Sequence, residues 1–395
     1  MPELKVIEGG LKTAPQDKLV FADAAVTDTR LMGVLGLRVH WKDTDAEEGL
    51  QDVYQFYYYD IEEIGLDSLN VYAIDGDEGL DYLNRLNFGG LGAGFWPVTE
   101  TEARYLVCHF VEETKRKKQP LPDNIFEADF ILRDPPQLPP EQVRALNLKM
   151  CTFIKTDYGS INYYLMRLFG KDPEGADLLV SASARPEDLE DVSLEEHATF
   201  LKNRIEPYKD ESGSSYLCES MVDGTDSHWI VTSEVRLSGG KITSCKKLSA
   251  FKISSAEASM KTTRGEYVTV FEILCEMDDF DKAFDPFTLG STRTDHETGE
   301  LFMCFKEDNL HVEQPEFSLS DDIRTMYFVS DFGQLIVSAY TREDIWIAEN
   351  MILGTDLSDK LEVTGRYNFV YGIIYDFATS GYTDFETFVE DIKLN

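Results

Sequence analysis

Two carboxylates one residue apart, Asp75 and Asp77, follow the short apolar run Asn70-Val-Tyr-Ala-Ile. A strand that ends on such a pair can hold Mg²⁺ or Ca²⁺ on both carboxylates and aim one of them at a phosphoryl group, which is the chemistry of metal-dependent hydrolysis. The competing reading is a strand-to-helix turn whose aspartates cap a helix starting near Glu78. A second constellation lies just upstream. Tyr54, Tyr57, Tyr58 and Tyr59 run into Asp60, Glu62 and Glu63, inside an interval from Lys42 to Arg85 that holds 13 acids between those two bases. An acidic, tyrosine-rich surface would receive a basic protein, because tyrosine offers contact area at small entropic cost. The same run also fits a strand covered on both faces, since such strands read as unbroken apolar stretches.

The Asp75-Gly-Asp77 pair resembles the motif of haloacid-dehalogenase phosphatases, with Gly79 at that family's threonine position and no later lysine and acidic pair to match. An EF-hand reading fails for want of its glycine at position six and glutamate at position twelve. The glycines after Asn87 (Gly90, Gly92, Gly94) form neither a dinucleotide fingerprint nor a Walker loop. They read as a bend between helices. No G-x-S-x-G, HExxH or local Cys/His nucleophile signature occurs. Cys218, Cys245, Cys275 and Cys304 are spaced 27, 30 and 29 apart, whereas structural zinc sites use close pairs. They read as buried, reduced thiols. Asp278, Asp279, Asp281 and Asp285 make a second acidic loop, a cation candidate set against a solvated turn.

Charge narrows the function further. The formal charge is −36, and it is spread evenly. Residues 1–200 carry 37 acids and 19 bases and residues 201–395 carry 36 and 18, so each half stands at −18. A field of that sign repels phosphate polymers and anionic lipid, which argues against direct nucleic-acid or membrane-surface binding. It leaves a protein that acts by binding or interaction as the first expectation. A metal-dependent, phosphatase-like hydrolase using Asp75 and Asp77 is the second, and an acidic mimic of nucleic acid that sequesters a basic protein the third. Without an apolar leader region or an 18-residue apolar window, the chain reads as cytoplasmic and soluble, and no cofactor is expected beyond Mg²⁺ or Ca²⁺ at the aspartate pair.

The elements that must position these groups are legible in part. Thr99 and Glu102 form a capping box, and Ala103, Leu106, Val107, Phe110 and Val111 recur at helical spacing behind it. Lys115, Arg116, Lys117 and Lys118 gather at that helix's C-terminal end and Pro120 stops it. Leu35, Leu37, Val39 and Trp41 alternate as a half-buried strand with His40 on its polar face. Further helices are expected from Glu78 to Leu86, from Pro140 to Met150, from Asp157 to Phe169 and near 173–180. Another should open at Ser193 and Glu196 and carry His197, and a short strand is expected over 128–132. His109 and His197 read as structural. After Pro207 the period drops to two, with strands over 215–222, 228–237, 241–253, 266–277, 300–306, 324–330, 334–340 and 361–377, and a last helix is capped at Thr383 and Glu386. The expected fold is α+β, with a mixed region over 1–206 and an antiparallel meander (open sheet or partial barrel) over 207–395.

Overall fold

Residues 5–6, 19–43, 51–74, 79–88, 91, 93–210, 213–284, 291–306 and 310–394 are described by the computed structural model. They form two compact units: Met1–Leu83 with Ala93–Ile253 and Leu310–Phe317, and Asn84–Gly92 with Ser254–Asn309 and Ser318–Asn395. The fold is mixed α+β with open antiparallel sheets.

Alternation builds the first sheet. It collects β1 (Lys5–Val6), β2 (Leu19–Thr27), β3 (Val34–Asp43), β4 (Gln51–Asp60), β5 (Gly65–Ile74) and β6 (Phe95–Pro97) in the order β1-β5-β4-β3-β2-β6. Leu35, Leu37, Val39 and Trp41 on β3 join Val53, Tyr57 and Tyr59 on β4 in one core. Between them and solvent lies the helix α2 (Glu100–Arg116), which follows α1 (Leu80–Phe88). The capping box of α2 is complete: Glu102 N donates to Thr99 Oγ1 and Thr99 N donates to the Glu102 carboxylate. Ala103, Leu106, Val107, Phe110 and Val111 are the buried face, each large side chain contributing about 1.5–3 kcal/mol relative to exposure. Residues 125–132, expected in part as a strand, are instead a 3-10 turn followed by α3 (Asp129–Leu132). There Ile125, Ala128, Ile131 and Leu132 meet the core with helical spacing. The helix α4 (Pro140–Lys149) follows, with proline in its first turn.

The second sheet of this unit has the order β10-β9-β8-β7-β14, from β7 (Ala198–Asp210), β8 (Gly213–Gly224), β9 (Ser227–Ser238), β10 (Lys241–Ile253) and β14 (Glu316–Ser318). Gly239 (φ 59°) and Gly240 (φ 73°) turn the β9–β10 hairpin, the two positive angles that a tight primed turn demands. The helix α5 (Asp157–Phe169), capped by Thr156, packs Ile161, Leu165 and Phe169 against Val222, Val231 and Val235. The short α6 (Pro173–Asp177) follows it. The helix expected at Ser193 does not form. Lys171 Nζ donates to Ser193 Oγ (2.8 Å) and Lys247 Nζ to Ser193 O (2.8 Å), so tertiary donors hold the groups that a helix start would use. His197 therefore sits ahead of β7 and not on a helix. The division expected at 206/207 falls inside β7, whose partners β8 to β10 belong to the same unit.

In the other unit, β11 (Glu266–Ile273), β12 (Ser291–His296), β13 (Gly299–Phe305), β15 (Ile323–Ser330), β16 (Gln334–Ala339) and β17 (Leu361–Phe369) take the order β12-β13-β15-β16-β11-β17. Period-two alternation sends Tyr327, Val329, Leu335 and Val337 to one face, where α9 (Arg342–Leu353) packs through Ile345, Ala348 and Ile352. Met326, Phe328 and Ile336 go to the other face, against Phe377 of α10 (Ile374–Ser380) and Phe385 and Phe388 of α11 (Phe385–Leu394). The strand expected over 361–377 thus ends at Phe369. Glu266 accepts from Ile373 N (2.8 Å) and Ile374 N (3.0 Å), the free amides where α10 begins. Two further short helices among the described residues are α7 (Ser255–Thr262) and α8 (Met277–Asp281), and α8 carries Asp278, Asp279 and Asp281 of the acidic run expected as a loop.

Candidate functional site

The tyrosines of β4 are core. Tyr54, Tyr57 and Tyr59 are 1%, 0% and 3% exposed, because β4 pairs with β3 on one side and β5 on the other and both its faces are covered. Tyr54 and Tyr57 offer no surface to a partner, and Tyr59 reaches only the cavity described below. Tyr58 is half-buried, its hydroxyl pushed up to about 12 by that burial. The acids that follow are more accessible. Asp60 Oδ1 accepts from Glu62 N (2.7 Å) and Glu63 N (2.8 Å), which shapes the β4–β5 turn and presents both glutamates. Asp75 and Asp77 lie outside the described residues, as do Asp285, Gly90 and Gly92.

Glu62 anchors a chain of alternating charges. Arg167 of α5, almost fully buried, donates from Nη2 to Glu62 Oε1 (2.6 Å) and sets Nη1 3.5 Å from Asp172 Oδ2. Asp172 in turn takes both terminal nitrogens of Arg30, with Nη2 to Oδ1 at 2.9 Å. His197 bridges Glu62 Oε2 (3.2 Å) and Glu63 Oε1 (2.9 Å). Gly33, at φ 93°, permits this packing, since a Cβ there would stand 2.7 Å from Arg167 Nη1. Burial opposes charge on Asp172, yet the hydrogen bonds and fields of Arg30 and Arg167 prevail and hold its carboxyl below the ordinary range. The hydrogen bond to Glu62 raises the His197 pKa above its ordinary value against the opposing effect of burial.

Beside this chain lies a cavity of about 440 Å³, within the size range of small-molecule sites. Arg30, Asp172, Glu62 and Tyr59 border it on one side, and Tyr105, His109 and Glu113 of α2 with Leu146 and Asn147 of α4 on the other. Tyr59 stacks on Phe110 (4.2 Å, 12°), and Tyr105 lies parallel to His109 (5.9 Å, 3°). Burial lowers the His109 pKa and raises that of Tyr105, so both rings face the cavity uncharged at neutral pH. The cations of the wall are engaged. Arg30 holds Asp172, Arg116 holds Glu113, Lys117 donates to Ile61 O, and Lys171 to Ser193 Oγ. Glu174 is exposed at the rim and has no ion-pair partner among the described residues. The arrangement suits hydrogen bonding and ring stacking, with one carboxylate left to attract a positive group.

Arg30, Asp172 and Tyr105 were not picked out by sequence reasoning, and His109 was read as structural. The spacing of Tyr105 and His109 is i,i+4, which puts both on one helix face, so that signal was present. Among the described residues no group of three or more His, Cys, Asp or Glu side chains is placed to hold a metal ion. All six cysteines are free thiols. Burial pushes Cys218 well up and Cys245 and Cys304 up to about 12, which leaves them protonated and inert. His40 is clamped between Asp23 (2.7 Å) and Asp52 (2.6 Å) and stacked on Tyr54, a brace across β2, β3 and β4. No described helix is long and apolar enough to cross a membrane. No protein-family model matches the chain, and no curated protein or solved structure matches it.

Proposed function

We propose that the chain acts by binding, and that its ligand is a small molecule with a planar apolar body and a positively charged amine, seated beside Tyr105 and His109. The observation that carries this reading is the parallel Tyr105–His109 pair opening on a cavity whose wall cations already hold partners, with Glu174 at the rim. The chain's charge of −36 supports the same sign of ligand, since the field of the whole molecule concentrates cations near it. The basic partner expected from the sequence is thereby kept as chemistry and reduced in size. Asp60, Glu62 and Glu63 contribute to the field, while Tyr59, stacked on Phe110, borders the cavity.

Three probes with one ring system decide the charge preference by titration calorimetry: tryptamine, indole and indole-3-acetate. Tryptamine is expected to bind at least about tenfold more tightly than indole, a difference of about 1.4 kcal/mol, with indole-3-acetate weakest. Equal binding of all three, or acetate above amine, would overturn the reading.

A further inference from the structure

A second concavity, about 700 Å³, lies where the end of α4, residues 151–157 and the tip of the β9–β10 hairpin meet. Its charged wall consists of Lys149, Lys155 and Lys241 against Asp157. That is three bases to one acid, in a chain that carries 73 acids for 37 bases. Asp157 is already engaged, accepting from the Tyr216 hydroxyl at 2.6 Å. Lys241 Nζ donates to Leu178 O at 2.9 Å, which fixes its ammonium at the wall. The start of α5 contributes little to this positive character, because Glu313 accepts from Lys155 N (3.2 Å) and from the Thr156 hydroxyl. The lysines are the source, chiefly Lys155 and Lys241, since Lys149 Nζ lies 3.8 Å from Glu102 Oε2 and shares its charge with that carboxylate.

The rest of the concavity is apolar. Leu31 and Leu179 are buried in its floor, whereas Trp96, Leu148 and Phe153 are 49%, 45% and 80% exposed around it. Large apolar side chains held together in water around a depression mark a contact surface. The volume falls in the range of a single small-molecule site. We propose that this depression binds an amphipathic organic anion, a carboxylate with a flexible apolar tail. The carboxylate sits among Lys149, Lys155 and Lys241, and the tail lies across Trp96 and Phe153. This site is distinct from the cavity beside His109 and takes the opposite charge.

Calorimetry on the full chain with decanoate, decanol and decyltrimethylammonium tests it. Decanoate is expected to bind one site at least tenfold more tightly than decanol. Lys155→Gln should weaken decanoate several-fold and leave decanol unchanged, and Phe153→Ser should weaken both. Lys155 and Phe153 are exposed, and a melt unchanged from the parent protein confirms that each variant is folded. Decanoate binding no better than decanol, a decanoate affinity untouched by both substitutions, or decyltrimethylammonium heat that Phe153→Ser abolishes would each overturn the proposal. So would an acidic, aromatic peptide that binds here where decanoate does not.

Discussion

Arg30 and Asp172, 142 positions apart in the chain, close a buried two-pronged ion pair on which Arg167 also converges. The pair fixes the segment between α5 and α6 to the turn between β2 and β3, and both partners border the cavity beside His109. Removing one charge leaves the other buried without its counter-ion, which costs about 3–5 kcal/mol, whereas replacing both with apolar groups of similar volume is far milder. Asp172→Ala should therefore lose about 3–5 kcal/mol in urea unfolding, and Arg30→Met with Asp172→Leu should recover most of it. A loss under about 1 kcal/mol for the single variant would contradict the pair's structural role.

Tyr57 and Glu63 separate core from surface at the same hairpin. Tyr57 is fully buried and its hydroxyl donates to Gln55 Oε1 at 3.0 Å. Tyr57→Ala should destabilise by about 3–5 kcal/mol, as large aromatic deletions do. Glu63→Gln, at an exposed position, should stay within about 0.5 kcal/mol. Thermal unfolding of the two variants checks this, and a mild Tyr57→Ala would return the tyrosines to the surface.

Two histidines should give opposite pH dependences. His197 has a folded pKa above its ordinary 6.5, so its contribution to stability is complete below that value and is lost as pH rises through the folded pKa. His109 has a folded pKa below 6.5, so its contribution is complete above that value and is lost as pH falls. His197→Gln should flatten the stability profile on the alkaline side of 6.5, and His109→Gln on the acidic side. Urea midpoints measured from about pH 5 to about pH 8 read both slopes. Matching slopes for the two variants would refute the assignment.

Much of the fold was legible because its signals are local. The Thr99–Glu102 box, the helical stripe to Val111 and the Gly239–Gly240 turn each act within a few residues, and each formed as written. The strand expected over 128–132 and the helix expected at Ser193 do not form, for the complementary reason. A short apolar run fits strand or helix equally well, and distant lysines outbid a capping box. The site was less legible still. Nothing near Arg30 announces Asp172, since buried ion pairs across a fold have no sequence spacing. The Tyr-rich strand drew attention for its composition, and its burial followed from its central place in the sheet.

For Asp75 and Asp77, melts with and without millimolar Mg²⁺ remain the direct check. A metal-dependent hydrolase requires a raised midpoint with Mg²⁺ that Asp75→Asn removes. The binding account predicts the same midpoint in both.

Amide hydrogen exchange with and without tryptamine tests the central claim most directly, because it reads location as well as binding. Slowed exchange is predicted in α2 around Tyr105 to Glu113 and in residues 171–174, and the protection should be lost in His109→Ala. Protection confined to other elements, or none at tryptamine concentrations where calorimetry shows heat, would contradict it.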